Sequence, residues 1–147
     1  MRYAEEKRDL FSVPDNYYLA HCISADFAMG KGIVIEFNKR FDMKNKLQGK
    51  YPDYMNEWHS REYEGDCIME GRVLNLITKE RYFHKPTYQS LTSALTAMKK
   101  ICVEESITKI AMPIIGCGLD KLSWDKVSEI IKEVFRDSDI EILVCKQ

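Results

Sequence analysis

The sequence predicts a three-layer α/β domain with a largely parallel or mixed sheet. Short apolar runs alternate along the chain with longer amphipathic segments of helical period. Such alternation is typical of α/β domains, in which ligands bind beyond the carboxyl ends of the strands. The 147 residues suit one domain, and no repeat, low-complexity stretch or linker divides residues 1–147.

The first predicted strand is the apolar run YYLAHCIS at residues 17–24, which ends in small polar residues. The first predicted helix spans residues 32–41, because Ile33, Phe37 and Phe41 follow one another at intervals of four. These two elements are separated by a loop that contains a pair of glycines.

The stretch from residue 42 to residue 64 has the least regular pattern in the chain. Its aromatic residues indicate either a flap over a ligand or, as the favoured interpretation, the packing of a surface helix; they are Tyr51, Tyr54, Trp58 and Tyr63. Five basic residues in and before this stretch are interpreted as a solvated helix face; they are Lys39, Arg40, Lys44, Lys46 and Lys50.

A hairpin is predicted over residues 65–79, with its turn at Glu70 and Gly71. A long helix follows from an N-cap at Thr87 to about Glu104. Its apolar residues recur on one helical face, namely Leu91, Ala94, Leu95, Met98 and Ile101.

The last third of the chain predicts strand, helix and strand. Residues 107–115 form an apolar run that Pro113 interrupts, and Ser123 is a suitable N-cap for the next helix. The apolar stripe of that helix consists of Val127, Ile130, Ile131, Val134 and Phe135. The run IEILVC at residues 140–145 is the final predicted strand.

Composition narrows the class of protein. The formal net charge of −1 and the pI of about 6.3 do not favour nonspecific attraction to nucleic acid or to an anionic membrane. Five scattered cysteines without a CxxC pair indicate reduced thiols in a cytosolic setting, and the three histidines form no metal-binding spacing with them. No signal-peptide pattern or membrane span is evident, so we expect a cytoplasmic protein.

Two predicted strands are followed by loops that carry paired glycines. Gly30 and Gly32 lie in the first loop, and Gly116 and Gly118 lie in the second. Glycine lets the backbone approach a ligand closely, and the free amides at a helix start favour an anion. The spacing leaves open whether the loops are simple turns or a pair of jaws around a diphosphate. Neither loop fits the GxxxxGK[ST] or the GxGxxG pattern.

Lys79 ends the second strand of the predicted hairpin. A lysine in this position is usually a surface charge. If it points into a cleft instead, desolvation can lower its pKa and make its amine a nucleophile. Asp120, which follows the second glycine loop, is then a candidate to accept and return the proton.

Taken together, these loops make the chain resemble the macrodomain family, whose members bind ADP-ribose. Within that family it is most similar to the terminal ADP-ribose protein glycohydrolases. The resemblance runs nearly end to end, through the segments RDLF (8–11), LAHCIS (19–24), MGKGI (29–33), LITKERYFHKPTY (76–88), MPIIGCGLD (112–120) and DIEILV (139–144). It implies a three-layer α/β/α sandwich with a mixed central sheet.

The resemblance also implies a role for individual residues. Lys79 would attack the anomeric carbon of the distal ribose, and Asp120 would act as acid and base. Asp9 would bind the adenine amino group. The other residues implied to bind ADP-ribose are His21, Cys22, Ser24, Gly30, Lys31, Gly32, Ile33, Pro113, Ile115, Gly116, Cys117, Gly118 and Leu119. No metal or cofactor is implied.

The chain departs from many macrodomains at two of these places. It carries AHCIS and MGKG where asparagine-rich and triple-glycine segments are frequent, so asparagine-centred hydrolysis is not expected. Arg8 precedes the adenine acid in place of a frequent glycine. Cys22 and Cys117 are interpreted as small residues close to the ligand and not as nucleophiles.

The expected function is removal of mono-ADP-ribose or a terminal ADP-ribose from glutamate or aspartate side chains, by a monomeric hydrolase whose partners are ADP-ribose and ADP-ribosylated proteins. One alternative is a reader module that binds ADP-ribose without turnover. Another is the same chemistry on ADP-ribosylated DNA bases or on O-acetyl-ADP-ribose. A nuclear location is the alternative to the cytoplasm in a eukaryote.

Overall fold

The computed structural model describes residues 1–60, 64–117 and 121–147, apart from the side chains of residues 59 and 60. Within these residues six strands form one sheet, in the order β1-β6-β5-β2-β4-β3. In chain order they are Arg2–Lys7 (β1), Tyr18–Ser24 (β2), Asp66–Glu70 (β3), Val73–Lys79 (β4), Lys109–Met112 (β5) and Glu141–Lys146 (β6). Neighbouring strands are parallel except for the β3–β4 hairpin, so the sheet is mixed.

Helices cover both faces of this sheet. In chain order they are Val34–Phe41 (α1), Met43–Lys50 (α2), Tyr54–Ser60 (α3), Tyr88–Glu104 (α4) and Trp124–Phe135 (α5), and a short 3-10 helix spans Leu10–Ser12. The first three pack with one apolar cluster and the last two with another. None of the helices in the described ranges is long and apolar enough to span a membrane. The predicted three-layer α/β/α sandwich is confirmed.

The two core clusters follow from the alternation of side chains along each strand. In β2, Leu19 and Ile23 pack toward α1–α3, whereas Ala20 and Cys22 pack toward α4 and α5. The strand is therefore apolar on both faces, as expected for a strand inside a sheet that helices cover on both sides.

The long helix and the hairpin form as the sequence predicts. Thr87 caps α4 through a reciprocal pair of hydrogen bonds with Ser90: each backbone amide donates to the other residue's hydroxyl oxygen at 3.0 Å. The hairpin turns between Glu70 and Val73, where Gly71 has a φ of +57°. Ser123 takes the N-cap position of α5, although its side chain makes no capping hydrogen bond.

Other sequence predictions need correction. The stretch from residue 42 to residue 64, predicted to be the least regular, contains the two helices α2 and α3. Tyr54 and Trp58 are buried there, which confirms the packing interpretation for them, whereas Tyr63 lies outside the described residues. Strand β1 was not predicted at all. Its pattern gives no alternation, because Tyr3 is the one residue of the strand that is even half-buried.

Candidate functional site

The candidate site lies along the edge of the sheet where its parallel strands end. Strands β1, β5, β2 and β4 end at Lys7, Met112, Ser24 and Lys79, respectively. The residues that follow these ends are those singled out in the sequence. From β1 to β4 the edge crosses four strand spacings, or about 19 Å at ~4.8 Å each. An extended ligand with a diphosphate in its middle fits along such an edge.

Asp9 lies at the β1 end of this edge. It is exposed and precedes the 3-10 helix as its N-cap, and its Oδ1 accepts a hydrogen bond from the amide of Phe11 at 3.0 Å. Arg40 of α1 stacks over the Phe11 ring, with 4.3 Å between the guanidinium carbon and the ring centroid. The cap therefore orients the carboxylate beside an aromatic residue.

The two glycine loops lie between Asp9 and Lys79 along the edge. Each loop contains one glycine with a positive φ, +70° at Gly32 and +72° at Gly116, which a residue with a side chain rarely adopts. Gly30, Lys31 and Gly32 are exposed, and Ile33 precedes α1. The first loop thus presents an open backbone at the start of a helix, as an anion site requires.

The second loop is tighter than the first. Gly116 is buried, and its carbonyl accepts a hydrogen bond from the amide of Leu122 at 2.9 Å, so the chain folds back on itself. Ile115 packs in the core, while Pro113 and Cys117 are half-buried. The remaining residues predicted from this loop, namely Gly118, Leu119 and Asp120, lie outside the described residues.

Lys79 is placed by a local irregularity in the pairing of β2 with β4. Ile23 pairs with Ile77, but the next residue, Ser24, pairs with Lys79, so Thr78 is an extra residue in β4. Bulges of this kind re-aim the side chain that follows them. The Lys79 side chain is half-buried, between the first loop and the residues that follow β4.

An exposed aromatic pair follows Lys79 in the chain. Tyr82 and Phe83 are 59% and 66% exposed, and their rings meet edge to face at 5.3 Å. His84 joins them at 4.7 Å from Phe83. Exposed basic residues, Arg81 and Lys85, lie on either side. The sequence offered no pattern for this group, because neighbouring residues on a loop have no periodicity.

His21, Cys22 and Ser24 were predicted to line the ligand, and their side chains do so unequally. Cys22 is half-buried, packs toward α4 and α5, and forms no disulfide. Ser24 is 2% exposed, and its hydroxyl donates to Asp26 at 2.5 Å. This carboxylate, which the sequence reasoning missed, joins the loops that follow β2 and β4.

The side chain of His21 does not face the predicted ligand. It is fully buried, stacks on Phe37 with 3.7 Å between ring centroids, and pairs through Nε2 with Oδ1 of Asn75 at 2.7 Å. Burial lowers the pKa of His21 from 6.5 to about 4, although the bond to Asn75 opposes the shift. The imidazole belongs to the core on the side of α1, and we correct its predicted ligand role accordingly.

The burial of His21 predicts a specific pH dependence of stability. Between pH 6.5 and about 4 the unfolded chain binds a proton here and the folded chain does not, so the free energy of unfolding decreases as the pH falls. The expected loss from pH 7 to pH 5 is about 2 kcal/mol. Urea denaturation at both pH values should show this loss in the wild type and a correspondingly smaller one in His21→Gln. His84→Gln, which changes an exposed histidine, is the control, and equal pH dependence in wild type and His21→Gln would contradict the burial.

No group of three or more histidine, cysteine, aspartate or glutamate side chains is arranged to hold a metal ion in the part of the chain that the structure describes.

Comparison with known proteins identifies the family. A family model described as Macro domain matches residues 72–131, which contain β4, α4 and β5. Over 139 residues the chain is 43% identical to the ADP-ribose glycohydrolase OARD1 of Homo sapiens, and equally to that of Bos taurus. Each alignment covers 94% of this chain and 87% of the relative.

Solved structures agree with this result at the level of the fold. The macrodomain of Mycobacterium tuberculosis DarG superposes with a TM-score of 0.75 at 19% identity, covering 97% of this chain and 96% of that chain. Thermosipho africanus DarTG, solved in complex with ADP-ribose, gives a TM-score of 0.71 at 17% identity, covering 99% of this chain and 42% of that chain. The protein therefore belongs to the macrodomain family, in the group that contains these ADP-ribose glycohydrolases.

Proposed function

We propose that the protein hydrolyses the bond between ADP-ribose and the carboxylate of a glutamate or aspartate side chain. The observation that carries the proposal is the position of Lys79, which a bulge in β4 brings to the end of the edge that the two glycine loops occupy. An amine beside an anion-binding loop can reach the sugar while the loops hold the diphosphate.

In the proposed reaction, the amine of Lys79 forms a bond to the anomeric carbon of the distal ribose. The carbon–oxygen bond of the ester breaks, and its electron pair leaves with the acceptor carboxylate. Lys79 must lose a proton to attack, and Asp120 is proposed to take it. Water then attacks the same carbon, the carbon–nitrogen bond breaks, and its electron pair returns to the amine. One water is consumed, and ADP-ribose and the free carboxylate are released.

The remaining residues of the edge are proposed to bind and not to react. Backbone amides of Gly30–Ile33 and of residues 115–118 would hold the two phosphates, as their open or tightly turned backbone allows. Asp9 would accept a hydrogen bond from the adenine amino group at the far end of the edge. The distance from Asp9 to Lys79 along the sheet is consistent with this division of roles.

A second acceptor is supported by one specific observation. The exposed rings of Tyr82 and Phe83, with Arg81 and Lys85 beside them, are suited to stack on a nucleobase and to attract a phosphate backbone. ADP-ribose attached to a DNA base is therefore the alternative substrate.

One comparison of substrates tests both proposals. Release of ADP-ribose is measured from a modified glutamate peptide, from modified single-stranded DNA and from O-acetyl-ADP-ribose at equal concentration. We expect the peptide to give the highest kcat/KM. Faster release from DNA would replace the proposed acceptor with the alternative. Tight binding of ADP-ribose without release from any of the three would show a reader module.

A further inference from the structure

The carboxylate of Asp26 joins the two loops that border Lys79. Its Oδ1 accepts hydrogen bonds from the hydroxyl of Ser24 at 2.5 Å and from the amide of Ala28 at 3.1 Å. Its Oδ2 accepts a hydrogen bond from the amide of Tyr82 at 3.0 Å. The third bond crosses from the loop after β2 to the loop after β4, between residues 56 positions apart in the chain.

Backbone hydrogen bonds run beside this carboxylate bridge. The amide of Ala25 donates to the carbonyl of Lys79 at 2.8 Å, and the amide of Asp26 donates to the carbonyl of Glu80 at 3.1 Å. The pairing of β2 with β4 thus continues past the bulge for two more residues. The side chain of Asp26 extends it once more, to Tyr82, where the strand geometry has ended.

Aspartate suits this place for a chemical reason. Three donors converge on its side chain, namely one hydroxyl and two backbone amides, and an ionised carboxylate offers two acceptor oxygens and no donor. Hydrogen bonds to a charged acceptor are stronger than bonds between neutral groups. An asparagine in this position has one acceptor oxygen, so its amide nitrogen would meet a donor on one of the two sides.

We propose that Asp26 is a positioning residue, which fixes the backbone on the carboxyl side of Lys79 and thereby holds the lysine amine at the reacting carbon. The inference rests on the proposed role of Lys79 as the nucleophile. Residues beyond a strand end open more easily than the strand itself, and a misplacement of about 1 Å can cost roughly 100-fold in rate. The bridge prevents that opening where β4 ends.

Asp26→Asn tests the inference with almost no change in size. We expect kcat for the modified glutamate peptide to fall at least about tenfold, because the amine is no longer held in place. KM and the Kd for ADP-ribose should stay within about threefold, because the phosphates are bound by other backbone groups. Asp139→Asn is the matched control, since Asp139 is exposed beside the start of β6, at the opposite edge of the sheet, and should leave kcat unchanged.

Two further measurements separate positioning from general damage. In Asp26→Asn, amide hydrogen exchange should rise over residues 80–84 and stay constant in α4. Ser24→Ala removes one of the three donors, so its effect on kcat should be smaller in the Asp26→Asn background than in the wild type.

Each outcome has a distinct meaning. A kcat within twofold of the wild type would overturn the inference, and so would unchanged exchange over residues 80–84. An equal loss of kcat and of ADP-ribose affinity would make Asp26 a part of the binding loop instead. If the wild type releases ADP-ribose from none of the acceptors, the proposed function fails, and with it the catalytic part of the inference. Loss of activity in Asp26→Asn alone leaves the proposed function standing.

Discussion

Replacement of Lys79 by alanine is expected to reduce the release of ADP-ribose from a modified glutamate peptide by at least about 1000-fold. The reason is that no other described amine occupies the end of β4, and removal of a nucleophile removes the covalent route entirely. Binding of ADP-ribose, measured by calorimetry, should change by less than about fivefold, because the glycine loops hold the diphosphate. The catalytic and binding roles of the edge would then be separable.

Lys79→Arg is the matched variant for this experiment. It keeps the positive charge but replaces the amine with a guanidinium, which remains protonated and does not attack carbon. We expect Lys79→Arg to be as inactive as Lys79→Ala. Lys100→Ala, on the exposed face of α4, should retain full activity. Restoration of the rate by arginine would mean that Lys79 acts as a charge, and wild-type rates in Lys79→Ala would exclude the proposed mechanism.

The covalent route also predicts an intermediate that can be observed directly. When a reaction of the wild type is stopped with acid, a fraction of the protein should carry one ADP-ribose on Lys79, detectable by mass spectrometry of the peptide. Lys79→Arg should carry none. An adduct on Cys22 or Cys117 instead would assign the nucleophile to a thiol.

The largest expected loss of stability follows from Gly65→Ala. Gly65 is buried where β3 begins, its φ is +43°, and an added Cβ would lie 2.1 Å from the carbonyl oxygen of Ser90 in α4. Backbone atoms cannot move aside as a side chain can, so α4 would have to shift away from the sheet. We expect the free energy of unfolding, measured with urea, to fall by more than about 4 kcal/mol.

Gly71→Ala is the control for the contribution of backbone conformation. Gly71 also has a positive φ, +57°, but no atom lies within 4 Å of an added Cβ. Its replacement should therefore cost only about 1–2 kcal/mol. The difference between the two variants measures the contact of Gly65 with α4. Equal losses in both would show that this contact relaxes at no cost.

The parts of the fold that the sequence predicted are those whose burial has a period. Helix α4 has an apolar face with a regular repeat, and every one of its predicted core residues is at least half-buried. Helix α2 was missed because it buries only Met43 and Leu47 among polar residues, so packing against the sheet and not its own pattern stabilises it. Strand β1 was missed for a related reason, since an exposed edge strand need not alternate.

The site was predictable to a similar degree. The carboxyl ends of parallel strands meet at one edge, so loops that follow separate strands were expected to come together. The direction of individual side chains was not accessible in this way. His21 faces the core although its neighbours in the chain border the site, and Asp26 is recognisable only once residue 82 is known to lie opposite.

The order of the strands has a consequence for the assembly of the protein on the ribosome. In the described sheet, β1 pairs with β6 alone, and β6 separates it from β5. The first strand to be synthesised must therefore wait for residues 141–146 before it can dock. The Lys79 end of the edge depends on β2 and β4, which are made much earlier. The nucleophile's end of the cleft can thus form while the chain is still growing, and Asp9, among the first residues synthesised, is the last to reach its place.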